Sequence, residues 1–141
     1  MAEMVLRHLA EAAGRAADFY IESCATSTEE IGNDIYPPAK RCLSSHGIPI
    51  TSHSARQITL NDYDRFDAIY LMDRSNLRTL RWTLPASLLE ADAALPQPKI
   101  RLLMELCGSS REVADPWYTG DFETTFQDIL SGCEAMLRQG F

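Results

Sequence analysis

The sequence predicts an α/β protein, a three-layer sandwich in which a parallel sheet carries helices on both faces. Three short apolar stretches, at Phe19–Cys24, Asp67–Met72 and Lys99–Met104, read as strands. Helical patterns separate them, and amphipathic helices stand at both ends of the chain. Strands alternating with helices pair in parallel through right-handed crossovers, which gives the layered class.

The elements follow in order. Ala2, Val5, Leu6, Leu9 and Ala13 recur at helical spacing, and Gly14 supplies a left-handed stop. Phe19 to Cys24 begins aromatic and β-branched and passes into the polar run Thr26–Glu30, so a strand feeds a loop. Pro37 and Pro38 suit a helix's first turn; Ala39 to Ser45 continue it, and His46-Gly47 close it. A turn around Asp62 precedes the strand centred on Ala68-Ile69-Tyr70-Leu71-Met72, and Arg74 to Trp82 forms the next helix. Three prolines make Leu84 to Pro98 a connection with at most a short helix. After the strand at Lys99–Met104, the helix at Asp121–Arg138 aligns Phe122, Phe126, Ile129, Leu130, Cys133 and Leu137 on one face.

Composition narrows the function. With 141 residues, 45% of them hydrophobic and 23% charged, the chain fits one domain over residues 1–141. A net charge of −7 argues against nucleic-acid binding. No apolar run reaches membrane-spanning length and no leader pattern opens the chain, so a cytoplasmic location without membrane partners is expected. Cys24, Cys42, Cys107 and Cys133 show neither a CxxC pair nor a zinc ladder, so reduced thiols and no metal are expected.

The strand count raises a question. A parallel sheet has a fully buried central strand that reads as a continuous Val/Ile/Leu run, and none of the three stretches is that apolar. The expectation is that this strand precedes the opening helix. The ordered set MAEMVLRHLAEAAG, SCATS, HGIP with HSARQ downstream, DYDRFDAIYLMDRSNLRTL and ADPWYTGDF resembles the low-molecular-weight protein-tyrosine phosphatases over essentially the whole chain. In that family a hydrophobic strand and a C-x5-R phosphate loop come before the Met-Ala-Glu of the first helix. The resemblance therefore implies that the central strand and loop, about fifteen residues, are absent here. No C-x5-R exists in this sequence, because Glu30, Ile48, Val113 and Gln139 stand six places after the cysteines. Cys107-Gly-Ser-Ser-Arg111 is C-x3-R, too short to close the same cradle.

The resemblance assigns roles to the residues that remain. Asp115 matches the general acid that protonates the leaving phenolate and later activates water against a cysteinyl phosphate. Pro116 restricts the backbone holding that carboxylate, and Trp117 and Tyr118 match an aromatic pair beside the substrate ring. Ser23 and His53 match residues that orient the phosphate loop. Asp73 reads as a helix cap, and Glu29 stands where an aromatic is common in the family. The implied substrate is a phosphotyrosine protein or aryl phosphate, without cofactor. This chain as it stands is expected to be inactive, and self-association through the unfilled sheet is a further expectation. A non-catalytic binding homologue is the main alternative. Arsenate reductases share the fold but carry redox cysteines in the segment after the second strand, and residues 74 to 98 contain none. Phosphoarginine specificity would be set partly in the absent loop.

Overall fold

The computed structural model describes residues 1–139. Helix α1 spans Ala2–Ala12 and buries Met4, Val5, Leu6 and Ala10. Its exit turn needs a left-handed residue, supplied by Gly14 at φ 68°, and Arg15 N–H closes it on the Ala10 carbonyl at 2.8 Å. Helix α2, Pro37–Ser45, carries its prolines in the first turn, where no N–H is needed, and buries Ala39 and Leu43. Helix α3, Leu60–Arg65, is fixed by a capping box between Thr59 and Asp62. Where the sequence suggested only a turn, that reciprocal cap sustains a short helix.

Strand β1 is Ile69–Leu71. Helix α4, Arg74–Thr79, starts from a second capping box between Asp73 and Asn76, the role expected for Asp73, and a 3-10 turn at Leu80–Trp82 extends it. The proline-bounded connection holds helix α5, Ala86–Ala93. Strand β2, Ile100–Leu102, runs into a 3-10 turn at Leu103–Cys107. Helix α6 is the single turn Pro116–Thr119, and α7 spans Phe122–Gln139.

The sheet is parallel and two-stranded among the described residues, with Ile69, Tyr70 and Leu71 opposite Ile100, Arg101 and Leu102. Side chains alternate across it and meet two separate apolar clusters. Leu71 and Leu102 join Ile58, Leu80 and Leu84 on one face. Tyr70 and Met72 pack on the other face against the larger cluster of α1, α2, α7 and the Leu103–Cys107 turn, with Val5, Leu43, Leu103, Phe126 and Cys133 at its centre. Helices thus cover both faces of a small sheet, as the layered reading requires.

The expected strand at Phe19–Cys24 is a correction. Residues 19–24 carry no ladder, and the segment makes a single isolated parallel bridge at Ala25 with Gln57. The reason is lateral. A strand exists through its neighbour, and between this segment and β1 lies an open cleft of about 380 Å³. Arg7 Nη2 instead reaches the Ile21 carbonyl at 2.8 Å, while Ala25 exchanges 2.7 Å bonds with Arg56 and Ile58. Ala2, Leu6, Leu103 and Met136 also line the cleft. Among the described residues β1 pairs with β2 alone, so its other edge faces this space.

Candidate functional site

The carboxyl ends of the strands lead to one rim of the molecule, the edge where open α/β sheets hold ligands. Val113 N–H donates to the Met72 carbonyl at 2.8 Å, tying the segment before Asp115 to the end of β1. Asp115 is exposed and caps α6, its Oδ1 accepting from Trp117 N–H at 2.9 Å. Pro116 follows at the first helical position, so the carboxylate sits on a backbone restrained on both sides. A carboxylate presented to solvent on a stiff turn is suited to proton transfer with a molecule arriving at the rim.

Trp117 and Tyr118 diverge. The Trp117 ring lies against Tyr36 with centroids 4.8 Å apart, and Tyr36 lies 6.0 Å from Phe122. Tyr118 is 83% exposed. Tyr36 is a rim residue that sequence reasoning passed over; its only signal was its place immediately before Pro37-Pro38, at the head of α2. The fold therefore brings Asp115, Trp117 and Tyr36 together and leaves Tyr118 projecting.

Ser23 and His53 meet at one carboxylate, that of Glu3 on α1. Ser23 Oγ donates to Glu3 Oε1 at 2.6 Å, and His53 Nδ1 stands 3.8 Å from the same oxygen. Arg7 completes the cluster at 2.9 Å from Glu3 Oε2. Both Ser23 and Glu3 line the cleft, together with Met72 just after β1 and Asn76 from α4. Nothing in the spacing of Glu3, Ser23 and His53 signals this convergence.

The outer wall of the cleft is braced by an ion pair. Arg56 grips Asp62 through two bonds of 2.8 and 2.9 Å and reaches Glu22 at 3.0 Å. Asp62 is 2% exposed, and the guanidinium holds its carboxyl below the usual carboxylate range. The cysteines near the cleft are held the other way. Burial pushes the Cys24 thiol up to about 11 and the Cys133 thiol up to about 12. Neither thiol is poised as a thiolate nucleophile.

A parallel sheet between helical layers, with an Asp-Pro-Trp turn at its carboxyl rim and an open cleft along β1, makes this a small α/β protein. The family model described as low molecular weight phosphotyrosine protein phosphatase matches residues 1–139. A low molecular weight phosphotyrosine protein phosphatase of Homo sapiens is 37% identical over 99% of this chain and 85% of its own length. Among solved structures, YfkJ from Bacillus subtilis superimposes with a TM-score of 0.84 at 32% identity, covering 97% of this chain and 82% of that one. A Drosophila arginine phosphatase gives 0.78 at 30% identity, over 97% and 86%. The chain belongs to the low-molecular-weight phosphotyrosine protein phosphatase family.

Proposed function

We propose that this chain is the body of a cytoplasmic protein-tyrosine phosphatase whose nucleophile is carried by a strand and C-x5-R loop seated in the cleft beside β1. The observation that carries this reading is the unpaired edge of β1 facing an apolar cleft that Met72 also lines, the Met72 carbonyl accepting from Val113 N–H two residues before Asp115. A buried backbone edge is costly unless another segment pairs with it. An extended segment there would end at the rim, next to Ser23.

In this reading the loop's thiolate attacks phosphorus, its backbone N–H groups and arginine hold the phosphoryl oxygens, and Asp115 gives its proton to the leaving phenolate. Asp115 then takes a proton from the water that releases phosphate. Trp117, Tyr36 and Tyr118 form the wall for the aryl ring. Ser23 and His53, which meet at Glu3, turn toward the loop and set its conformation, and Pro116 keeps Asp115 in place. The 141 residues contain no C-x5-R, and burial raises the Cys24 and Cys133 thiols, so in this reading the chain alone has no phosphate-loop nucleophile.

The similarity to a Drosophila arginine phosphatase favours a second substrate, phosphoarginine, for the same site. A phosphoramidate nitrogen needs the same acid, so the choice lies with the loop and the aromatic wall. A non-catalytic binding role has its own support in the lack of a C-x5-R motif within these residues.

The experiment is p-nitrophenyl phosphate hydrolysis by the 141-residue chain and by a form extended with a strand and C-x5-R-S-P loop. The short chain should stay at background. The extended form should turn over, lose activity with Cys→Ser at the nucleophile, and fall about a hundred- to ten-thousand-fold with Asp115→Asn. Turnover by the short chain would overturn the reading. An extended form indifferent to Asp115→Asn would take that residue out of the acid role.

A further inference from the structure

Behind the Tyr36–Phe122 contact, the carboxyl-terminal half of α2 meets the first turn of α7, with Cys42 Sγ 3.6 Å from the Phe122 carbonyl oxygen. Cys42 and His46 lie one helical turn apart, so they share a face, and Glu123 comes to them from α7. His46 Nε2 is 2.8 Å from Glu123 Oε2, Cys42 Sγ is 3.9 Å from the same oxygen, and the three donor atoms all lie within 4.8 Å of one another. We propose that Cys42, His46 and Glu123 form a binding site for a zinc-type divalent cation that fastens α2 to α7.

The donor set selects the metal. Thiolate, imidazole and carboxylate together suit a borderline-soft ion, whereas calcium and magnesium require all-oxygen shells. Tetrahedral zinc, with bonds of about 2.0 Å to nitrogen and oxygen and 2.3 Å to sulfur, spaces its donors about 3.3 to 3.6 Å apart. The His46–Glu123 pair has to open by about half an ångström and the thiol to close in, both within side-chain movement. The imidazole is also pre-oriented. Its ring stacks on Phe126 with centroids 3.9 Å apart and planes 11° from parallel, and Phe126 is 2% exposed. That contact costs the ring its freedom before any metal arrives, so the ion orders little on binding. His46 and Glu123 are exposed, which leaves the fourth tetrahedral position to water.

The site stands apart from the phosphate-site reading and is tested on the 141-residue chain under a phosphine reductant. Zinc is titrated in competition with a chromophoric chelator, and cobalt(II) serves as the optical probe. One equivalent should bind, and cobalt should give a thiolate charge-transfer band with visible bands of tetrahedral intensity. Cys42→Ser should abolish the charge-transfer band. His46→Gln and Glu123→Gln should each weaken zinc binding at least about tenfold. A Cys24→Ser, Cys107→Ser double variant, which removes the exposed thiols elsewhere, should bind as the parent does. Far-UV circular dichroism checks that each variant is folded. A charge-transfer band surviving Cys42→Ser, unchanged affinity in the His46 or Glu123 variants, or no stoichiometric uptake by the parent would each overturn the proposal.

Discussion

Asp62 combines deep burial with a full negative charge, and only Arg56 and the α3 cap offset the cost of its desolvation. Replacing Arg56 by Met should therefore destabilise the fold by about 1–3 kcal/mol, with the buried carboxylate left short of its partner. The pH dependence has a definite sign. The folded pKa of Asp62 is depressed below the unfolded value, so its contribution is complete above about pH 4 and declines as pH falls through the folded pKa. Denaturant midpoints of parent and Arg56→Met should be far apart at neutral pH and converge in acid; a gap independent of pH would contradict this account. Residue-scale features were unevenly legible in the sequence. Asp73 was readable as a cap because its partner Asn76 lies three residues on, within the reach of local chemistry. The Glu3 cluster and the meeting of Cys42 with Glu123 were not, since those contacts join residues whose spacing follows no period.

Helix α7 owes its close seat to one residue that has no side chain. Gly132 faces Leu103 so tightly that an added Cβ would stand 2.5 Å from Leu103 Cγ, and Leu103 is 1% exposed. In a solvent-exposed helix Gly→Ala gains about 1 kcal/mol. Here overpacking should dominate, so Gly132→Ala should lower stability by about 1–3 kcal/mol, read as a drop in Tm. In a Leu103→Ala background, itself destabilised, Gly132→Ala should cost less than in the parent, because the added methyl then fills vacated space. At this scale α1, α2 and α7 were legible, since each carries its own punctuation of proline, glycine or amphipathic period. Residues 19–24 were misread for the converse reason: their aromatic and β-branched composition favours a strand, but a ladder also needs a neighbour, and sequence pattern is silent about that.

The whole molecule is organised around a sheet with one satisfied edge. Ile69 N–H donates to the Lys99 carbonyl at 2.8 Å, so by the alternation of a parallel ladder the Tyr70 amide points away from β2 and toward the cleft. In the 141-residue chain the Tyr70 amide should exchange with deuterium faster than that of Leu71, and a segment seated in the cleft should reverse the order. Equal protection in both forms would argue against a strand-accepting cleft. The sequence already marked the layered class, because alternating strands and helices fix it; the cleft's walls depend on contacts between distant segments. The two apolar clusters differ in how far along the chain their members are drawn. One gathers Ile58, Leu71, Leu80, Leu84 and Leu102, all from a single middle stretch. The other joins Met4, Val5 and Leu6 to Phe126, Cys133 and Met136, from opposite ends. Loop closure therefore delays the second cluster relative to the first. During synthesis the middle of the protein can condense while α1, made before it, waits for α7, made after it, to cover its apolar face. The interval between the making of α1 and of α7 is thus one in which apolar surface waits for its partner, and it lengthens as translation slows.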